Sequence, residues 1–276
     1  GPVWPTLDAD HPLSLLVKEL PSILEKADYA EVYGVQLKAD TPFHTKLILQ
    51  KFLRANSNVV PKAKEQLLAT LKWRKEYQPL KALEETFSEE LFGGLGFVTL
   101  VEKVPGSTKD KEVVTYNVYG AVKDIQKTFG NVDTFLRWRV ALMELGISKL
   151  SLATATEPIP DFGKGADQYQ GIQVHDYKSI SFLRQDPHIK AASKQTIDLF
   201  SKYYPETLSK KFFLNVPLVM SWLFTFFKAL LPSATTKKFS VISYGTSLTS
   251  ELGPDIPKEY GGKAGALDSV SETVKL

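Results

Sequence analysis

The chain has 276 residues, 43% of them hydrophobic and 24% charged, a balance that excludes a disordered polymer and suits one large or two small globular domains. Its 34 Lys and Arg against 31 Asp and Glu leave a net charge of +3, too small and too evenly spread to make a nucleic-acid surface. Cysteine is absent, which removes disulfides, thiolate-held zinc, iron–sulfur clusters and a cysteine nucleophile together.

Residues 1–91 are expected to form a helical lobe. Leu13, Leu15, Leu16, Leu20, Ile23 and Leu24 give Leu13 to Lys26 a helical stripe, bounded by Pro12 and broken near Pro21. Lys46 to Ala55 carries Ile48, Leu49, Phe52 and Leu53 on one side. Lys62 to Tyr77 follows, with Ala63, Leu67, Leu68 and Leu71 inward and its lysines on a solvated face. Pro61 suits the first turn of that helix and Pro79 its end.

From Gly93 the texture changes. Phe97 to Val101, Val113 to Tyr119, Gly171 to Tyr177, Phe212 to Val216 and Phe239 to Ser243 are short and rich in β-branched or aromatic residues. Helical spacing fills the gaps at Val132 to Ser148, His188 to Tyr204 and Val216 to Leu231. Strands alternating with helices predict an α/β lobe over residues 92–265, built on a mainly parallel sheet with flanking helices. Residues 266–276 read as a loose polar tail. No segment has the shape of a secretory signal, and Gly1-Pro2 resembles a protease-cleavage remnant. The most apolar stretch, Val216 to Leu231, is interrupted by Pro217, Ser221, Thr225 and Lys228. It is shorter than the roughly 20 residues a membrane span needs, so a soluble protein with at most a peripheral membrane habit is expected.

Most chemistry-bearing motifs are missing. Gly93-Gly94-Leu95-Gly96 precedes a strand instead of opening a helix after one, and neither a phosphate-binding Gly-Lys-Ser/Thr loop nor a nucleophile elbow is present. Histidines stand only at 11, 44, 175 and 188, too scattered for a metal cage. His11 and His44 read as surface residues, and His188, after Asp186-Pro187, as part of a helix's first turn.

The exception is Gln173-Val174-His175-Asp176-Tyr177-Lys178. On a strand Gln173, His175 and Tyr177 share one face, while Val174 and Asp176 take the other. Polar groups on a covered sheet must find partners. Either they form a satisfied hydrogen-bond cluster in the core, or their face lines a cavity that holds a ligand. A second unusual segment is the helix Leu218 to Leu231, apolar nearly all round. Such a helix is ordinarily fully buried; alternatively it covers a hydrophobic pocket and meets a membrane when it opens.

Several landmarks occur in a fixed order. Phe52-Leu-Arg-Ala55 is followed by Trp73-Arg-Lys75, Tyr204-Pro-Glu206, Lys211-Phe-Phe-Leu-Asn-Val-Pro217, Thr235-Thr-Lys-Lys238 and Pro257-Lys-Glu-Tyr-Gly-Gly262. The set, spanning about residues 45–263, resembles the CRAL-TRIO lipid-binding family of yeast phosphatidylinositol-transfer proteins. The resemblance implies a helical lobe, then a CRAL-TRIO lobe with an apolar gate helix over a large cavity. Val113-Val-Thr-Tyr-Asn-Val-Tyr-Gly120, Asn131-Val-Asp-Thr-Phe-Leu-Arg-Trp-Arg139, Val174-His-Asp-Tyr-Lys178 and Lys202-Tyr-Tyr-Pro-Glu206 look like a divergent fungal subgroup of that family that binds haem.

By that resemblance Tyr177 would be the axial ligand of ferric haem b, His175 its neighbour, and Tyr119, Arg139 and Lys211 further contacts. Arg139 and Lys211 have a plainer alternative as surface ion pairs. Asn56 stands where the subgroup has a further cavity tyrosine. A phenolate is a hard oxygen donor and a known haem ligand. With an ordinary pKa near 10 it needs the ferric charge and nearby cations. His175 and Tyr177 leave the strand on one face, so Tyr177 would ligate and His175 would orient or hydrogen-bond. A haem-binding, non-catalytic role is therefore expected ahead of two others: phosphatidylinositol transfer between membranes, and a haem-dependent oxidoreductase. For the transfer role, Glu206 and Lys238, with Arg54 and Thr235, resemble inositol-headgroup positions. The resemblance also implies a cytoplasmic protein that touches membranes, including those of the endoplasmic reticulum, transiently.

Overall fold

A computed structural model describes residues 1–178 and 186–276. The chain forms two compact units, the first of residues 1–79, 150–170 and 199–207, the second of residues 80–149, 171–198 and 208–276. Each follows from its own apolar pattern.

In the first unit, α1 (Pro12–Ala27), α2 (Phe43–Ala55) and α3 (Val60–Tyr77) pack on one another. Leu13, Leu16, Leu20 and Ile23 of α1, Leu47, Ile48, Phe52 and Leu53 of α2, and Ala63, Leu67 and Leu71 of α3 are fully buried. Helix α1 runs through Pro21 where a break was expected. A proline inside a helix costs about 3 kcal/mol, but ending α1 there would expose Ile23, whose burial is worth about 1.5–3 kcal/mol, and with it the packing of the whole last turn. Pro61 sits in the first turn of α3, and Gln78 closes that helix in the left-handed conformation before Pro79.

One buried charge ties the later segments of this unit to α2. The Lys51 ammonium donates to Asp167 Oδ2 at 2.7 Å, to the Tyr169 carbonyl at 2.8 Å and to the Glu206 carbonyl at 2.8 Å, with neither side chain of the ion pair exposed. Nearby, His11 caps α1 and pairs with Asp161 at 2.8 Å, and His44 bonds the Ala155 carbonyl at 2.8 Å. Both histidines are half-buried structural links, not the surface residues expected.

The second unit holds a five-stranded sheet in sequence order: β1 (Gly96–Glu102), β2 (Lys111–Val118), β3 (Gly171–Asp176), β4 (Leu208–Leu214) and β5 (Phe239–Ile242). The first pair is antiparallel and the rest parallel. Three helices precede successive strands: α4 (Val132–Leu150), α5 (Pro187–Tyr203) and α6 (Ser221–Leu230). Strands added in one direction through crossovers of one hand put those crossovers on one face. The packing agrees. A Cβ on Gly96 would strike Trp138 and Leu142 of α4, and one on Gly146 of α4 would lie 2.9 Å from Thr115 Oγ1 of β2. The opposite face is sealed: Phe97, Val114, Tyr116, Ile172, Val174, Phe212 and Leu214 pack there with Leu248, Leu252, Ile256, Tyr260 and Leu267.

Two features differ from expectation, and for α6 one of the two alternatives is excluded. Strand β4 begins at Leu208, four residues before the apolar run that announced it, so Lys211 lies inside the sheet. The tail is not loose. Leu267 and Val274 are buried, Glu272 bridges Val98, and the Phe87 amide donates to the Lys275 carbonyl. Helix α6, preceded by a 3-10 turn at Leu218–Met220, is not fully buried: Leu223 and Phe227 are covered, while Leu218 is 92% exposed. Among the described residues no helix is long and apolar enough to cross a membrane.

Removing one partner of a buried ion pair leaves an uncompensated charge, at a cost of about 3–5 kcal/mol. Lys51→Met is expected to lower stability to urea by that amount, and Lys51→Met with Asp167→Leu to regain most of it. A loss below about 1 kcal/mol in the single variant would show that the clasp is not what holds these segments.

Candidate functional site

The α4-side face of the sheet carries an unusual set of side chains in register. Thr115, Gln173 and Lys211 form one row across β2, β3 and β4, and Asn117, His175 and Phe213 form the next. Tyr119 and Tyr177 follow, each just past the end of its strand. They come together because the chain at Gly120 touches that at Lys178: the Lys178 carbonyl occupies the space a Cβ at Gly120 would need. The Tyr177 amide donates to the Leu214 carbonyl, which extends the strand's direction by one residue. Gln173 and Lys211 remain half-accessible although β3 is the central strand, so this face is not sealed as the opposite one is.

His175 is the centre of the group. It is 5% exposed, and neither of its ring nitrogens has a hydrogen-bond partner. Aromatic rings surround it: Tyr119 at 5.1 Å and Phe213 at 5.5 Å meet it edge to face, and Tyr177 lies at 6.5 Å. Tyr119 and Tyr177 stack at 5.6 Å with planes 27° apart. Asn117 donates to Gln173 Oε1 at 3.1 Å, so those two amides answer each other and not the imidazole.

The electrostatics are one-sided. Burial, then Lys211, then Arg139 hold the His175 imidazole well below its usual pKa, so it is neutral at pH 7. Burial and then Arg139 bring the Lys211 ammonium down to about 7. Burial and then Tyr119 push the Tyr177 phenol well up, while Arg139 pulls it down. The charged groups acting on His175 and Lys211 are thus cations, a buried Arg139 and a half-accessible Lys211, beside aromatic walls. Such a place favours a ligand with an apolar body and an anionic end.

Tyr119, Arg139, His175, Tyr177 and Lys211, singled out in the sequence, therefore all belong to the second unit and act on one another there. The other candidates divide. Arg54 and Glu206 meet in the first unit, Nε to Oε2 at 3.8 Å, with Arg54 Nη1 also donating to the carbonyls of Pro160 and Asp161. In the second unit Lys238 donates to the Leu208 carbonyl at 2.6 Å, and its amide closes a turn on the Thr235 carbonyl. Asn56 bonds the Phe52 carbonyl and Gln66. Sequence reading missed Asn117 and Phe213. Their signal exists only once β2, β3 and β4 are set side by side, because pairing across strands is not written in any one of them.

Residues 99–262 match the family described as CRAL/TRIO domain. Over its whole length the chain is 55% identical to the phosphatidylinositol transfer protein SFH5 of Phaeosphaeria nodorum, of which it covers 83%. Over 99% of its length it is 50% identical to the phosphatidylinositol transfer protein SFH5 of Cryptococcus neoformans, of which it covers 93%. The crystal structure of Sfh5 superposes with a TM-score of 0.83 at 32% identity, covering 98% of this chain and 93% of that one.

The imidazole gives a signed pH effect. Its pKa in the folded chain lies below the unfolded value of 6.5, so its contribution is fully present above pH 6.5 and is lost as pH falls. The stability difference between the native chain and His175→Gln is expected to shrink below pH 6.5 by up to about 1.4 kcal/mol per pH unit, measured by urea titration. Parallel curves for the two proteins would contradict a neutral, enclosed imidazole.

Proposed function

The chain belongs to the CRAL/TRIO domain family, and we propose that it is a carrier of the phosphatidylinositol-transfer kind whose α4-side sheet face takes ferric haem b on Tyr177. The relatives' names support the general role, movement of an amphipathic ligand between membranes. One observation carries the finer part: a buried imidazole without a hydrogen-bond partner, set among Tyr119, Tyr177 and Phe213 beside cationic Arg139 and Lys211.

The residues fit the group. Among the described residues no three His, Cys, Asp or Glu side chains gather to hold a bare metal ion; haem would bring most of its donors with it and need only one from the protein, which Tyr177 would supply. Bound ferric haem supplies a Lewis-acidic iron, for which a phenolate is a suitable hard donor. Arg139 already favours the Tyr177 phenolate against burial. Arg139 and Lys211 answer carboxylate ends, and a ligand anion there raises Lys211 back toward its charged form. His175, kept neutral, offers one donor and one acceptor beside the phenol. Flat aromatic walls suit a flat apolar body.

Phosphatidylinositol is the second reading, with support of its own in the relatives' names. Its headgroup candidates are less open: Arg54 and Lys238 already donate to backbone carbonyls, whereas both nitrogens of His175 go unanswered. Carriage is favoured over turnover. The same reading puts the protein in the cytoplasm, touching membranes through the exposed Leu218 and Val219.

The absorption spectrum of protein freshly purified from haem-sufficient cells tests this. A Soret band with ferric charge-transfer features is expected, lost or displaced in Tyr177→Phe while the far-ultraviolet circular dichroism stays unchanged. An unaltered spectrum in Tyr177→Phe would reject the ligand assignment, and a colourless protein carrying phosphatidylinositol by mass spectrometry would leave the transfer role alone.

A further inference from the structure

The sealed face of the sheet, away from the site, encloses the carboxylate of Asp176. Among the described residues no cation pairs with it, and its partners are neutral donors. Its Oδ1 accepts from the Lys178 amide at 2.9 Å and from the Asn215 side-chain amide at 2.9 Å, and its Oδ2 accepts from the Tyr260 hydroxyl at 2.9 Å. The more distant partners are themselves fixed. Asn215 stands just past β4 in the left-handed conformation, φ 57°, and its own Oδ1 accepts from the Gly245 amide at 2.8 Å. Tyr260 stacks on Tyr116 of β2 at 5.1 Å. Burial and then Asp176 push the Tyr260 phenol up, so its O–H remains a donor. A charge enclosed without a counter-charge is costly unless hydrogen bonds answer it. Here they are grouped around the residue that follows.

That residue is Tyr177. Its amide donates to the Leu214 carbonyl at 3.0 Å, and the bond from the Lys178 amide to Asp176 closes a turn across its other side. The two soft dihedrals of Tyr177 therefore lie between two fixed points. Successive residues along a strand face opposite ways, so the ring leaves toward the site. There it stacks on Tyr119 at 5.6 Å and on Phe213 at 6.4 Å, with planes 27° and 12° apart. Stacking sets the plane of a ring, and the backbone sets how far it reaches.

We propose that Asp176 is the positioning residue for Tyr177: its carboxylate, anchored by Tyr260 and Asn215 on the sealed face, holds the backbone from which the phenol is aimed into the site. The proposal rests on the reading of Tyr177 as the axial donor to iron and extends that reading to a cluster on the opposite face. A donor of this kind must be held within about 0.5 Å of its working position, which groups behind it secure.

Asp176→Asn keeps an oxygen for Lys178 and Asn215 and offers Tyr260 an N–H, whereas Asp176→Ala removes the cluster's centre. Leu252→Ala, in the sealed core, lowers stability without touching the carboxylate and serves as the control. In the ligand-free full chain with isotope-labelled tyrosine rings, the Tyr177 magnetic-resonance signal is identified by its loss in Tyr177→Phe. It is expected to be displaced by the rings stacked on it, to lose most of that displacement in Asp176→Ala, and to keep it in Asp176→Asn and Leu252→Ala. In haem-loaded protein, Asp176→Ala should move the ferric charge-transfer band and weaken haem binding about tenfold, the lower end for losing a partner behind a metal ligand; Asp176→Asn should stay native. An unmoved Tyr177 signal in folded Asp176→Ala, or an equal movement in Leu252→Ala, overturns the proposal. Should Asp176→Ala fail to fold, Asn215→Gly decides, because it keeps the left-handed backbone and deletes one arm of the cluster: there too an unmoved signal overturns it. A native chain that takes no haem rejects the ligand reading and leaves the ring signal to judge Asp176.

Discussion

A buried imidazole with no hydrogen bond is the constraint around which the second unit is arranged. Desolvating a polar group without a partner costs about 1–3 kcal/mol, and a strand could escape that cost by presenting another residue. Strand β3 has no such freedom. Its alternate residues Ile172 and Val174 are locked in the sealed core with Val114, Tyr116 and Phe212. A slip of one residue would drive Gln173 and His175 into that core and expose the valine and isoleucine. Packing on one face therefore imposes the polar set on the other.

The charges make the same demand more specific. Lys211 enters the sheet because β4 starts at Leu208, ahead of its apolar run. From there it acts on His175, and Arg139 of α4 acts on both. Cations pressed together in low dielectric gain most from an anion. Carboxylates on a flat aromatic body and a phosphate on a fatty chain share that chemistry, so the proposed haem and the phosphatidylinositol of the relatives' names would make the same demand on these cations. On the proposed reading Tyr177 would separate the two, because a phenol beside a cation is useful to iron and of little use to an acyl chain.

Much of this was legible in the sequence because it rests on local rules. The alternation in Gln173-Val174-His175-Asp176-Tyr177 placed the polar residues on one face correctly, and the apolar stripes of α2 and α3 marked those helices. The parallel sheet followed from the order of strands and helices. Pairing was not legible. Nothing within β4 tells that Phe213 stands beside His175, or that Ser209 to Lys211 are strand despite their polarity, since neighbouring strands supply the reason. Composition left α6 open between full burial and a half-exposed cover, because apolarity alone does not show which residues find a partner; packing decides it, with Leu218 of the preceding turn 92% exposed. The tail looked loose for want of apolar residues, yet Leu267 and Val274 suffice to dock it against the sheet.

Native mass spectrometry of the untagged protein, taken directly from eukaryotic cytosol, tests the central claim most directly. The account predicts a complex that releases, on denaturation, an amphipathic molecule with carboxylate or phosphate ends, haem foremost. A chain that emerges with no companion, or with an uncharged lipid, while keeping full stability, would show that the basic and aromatic face of β3 is complete without an anion.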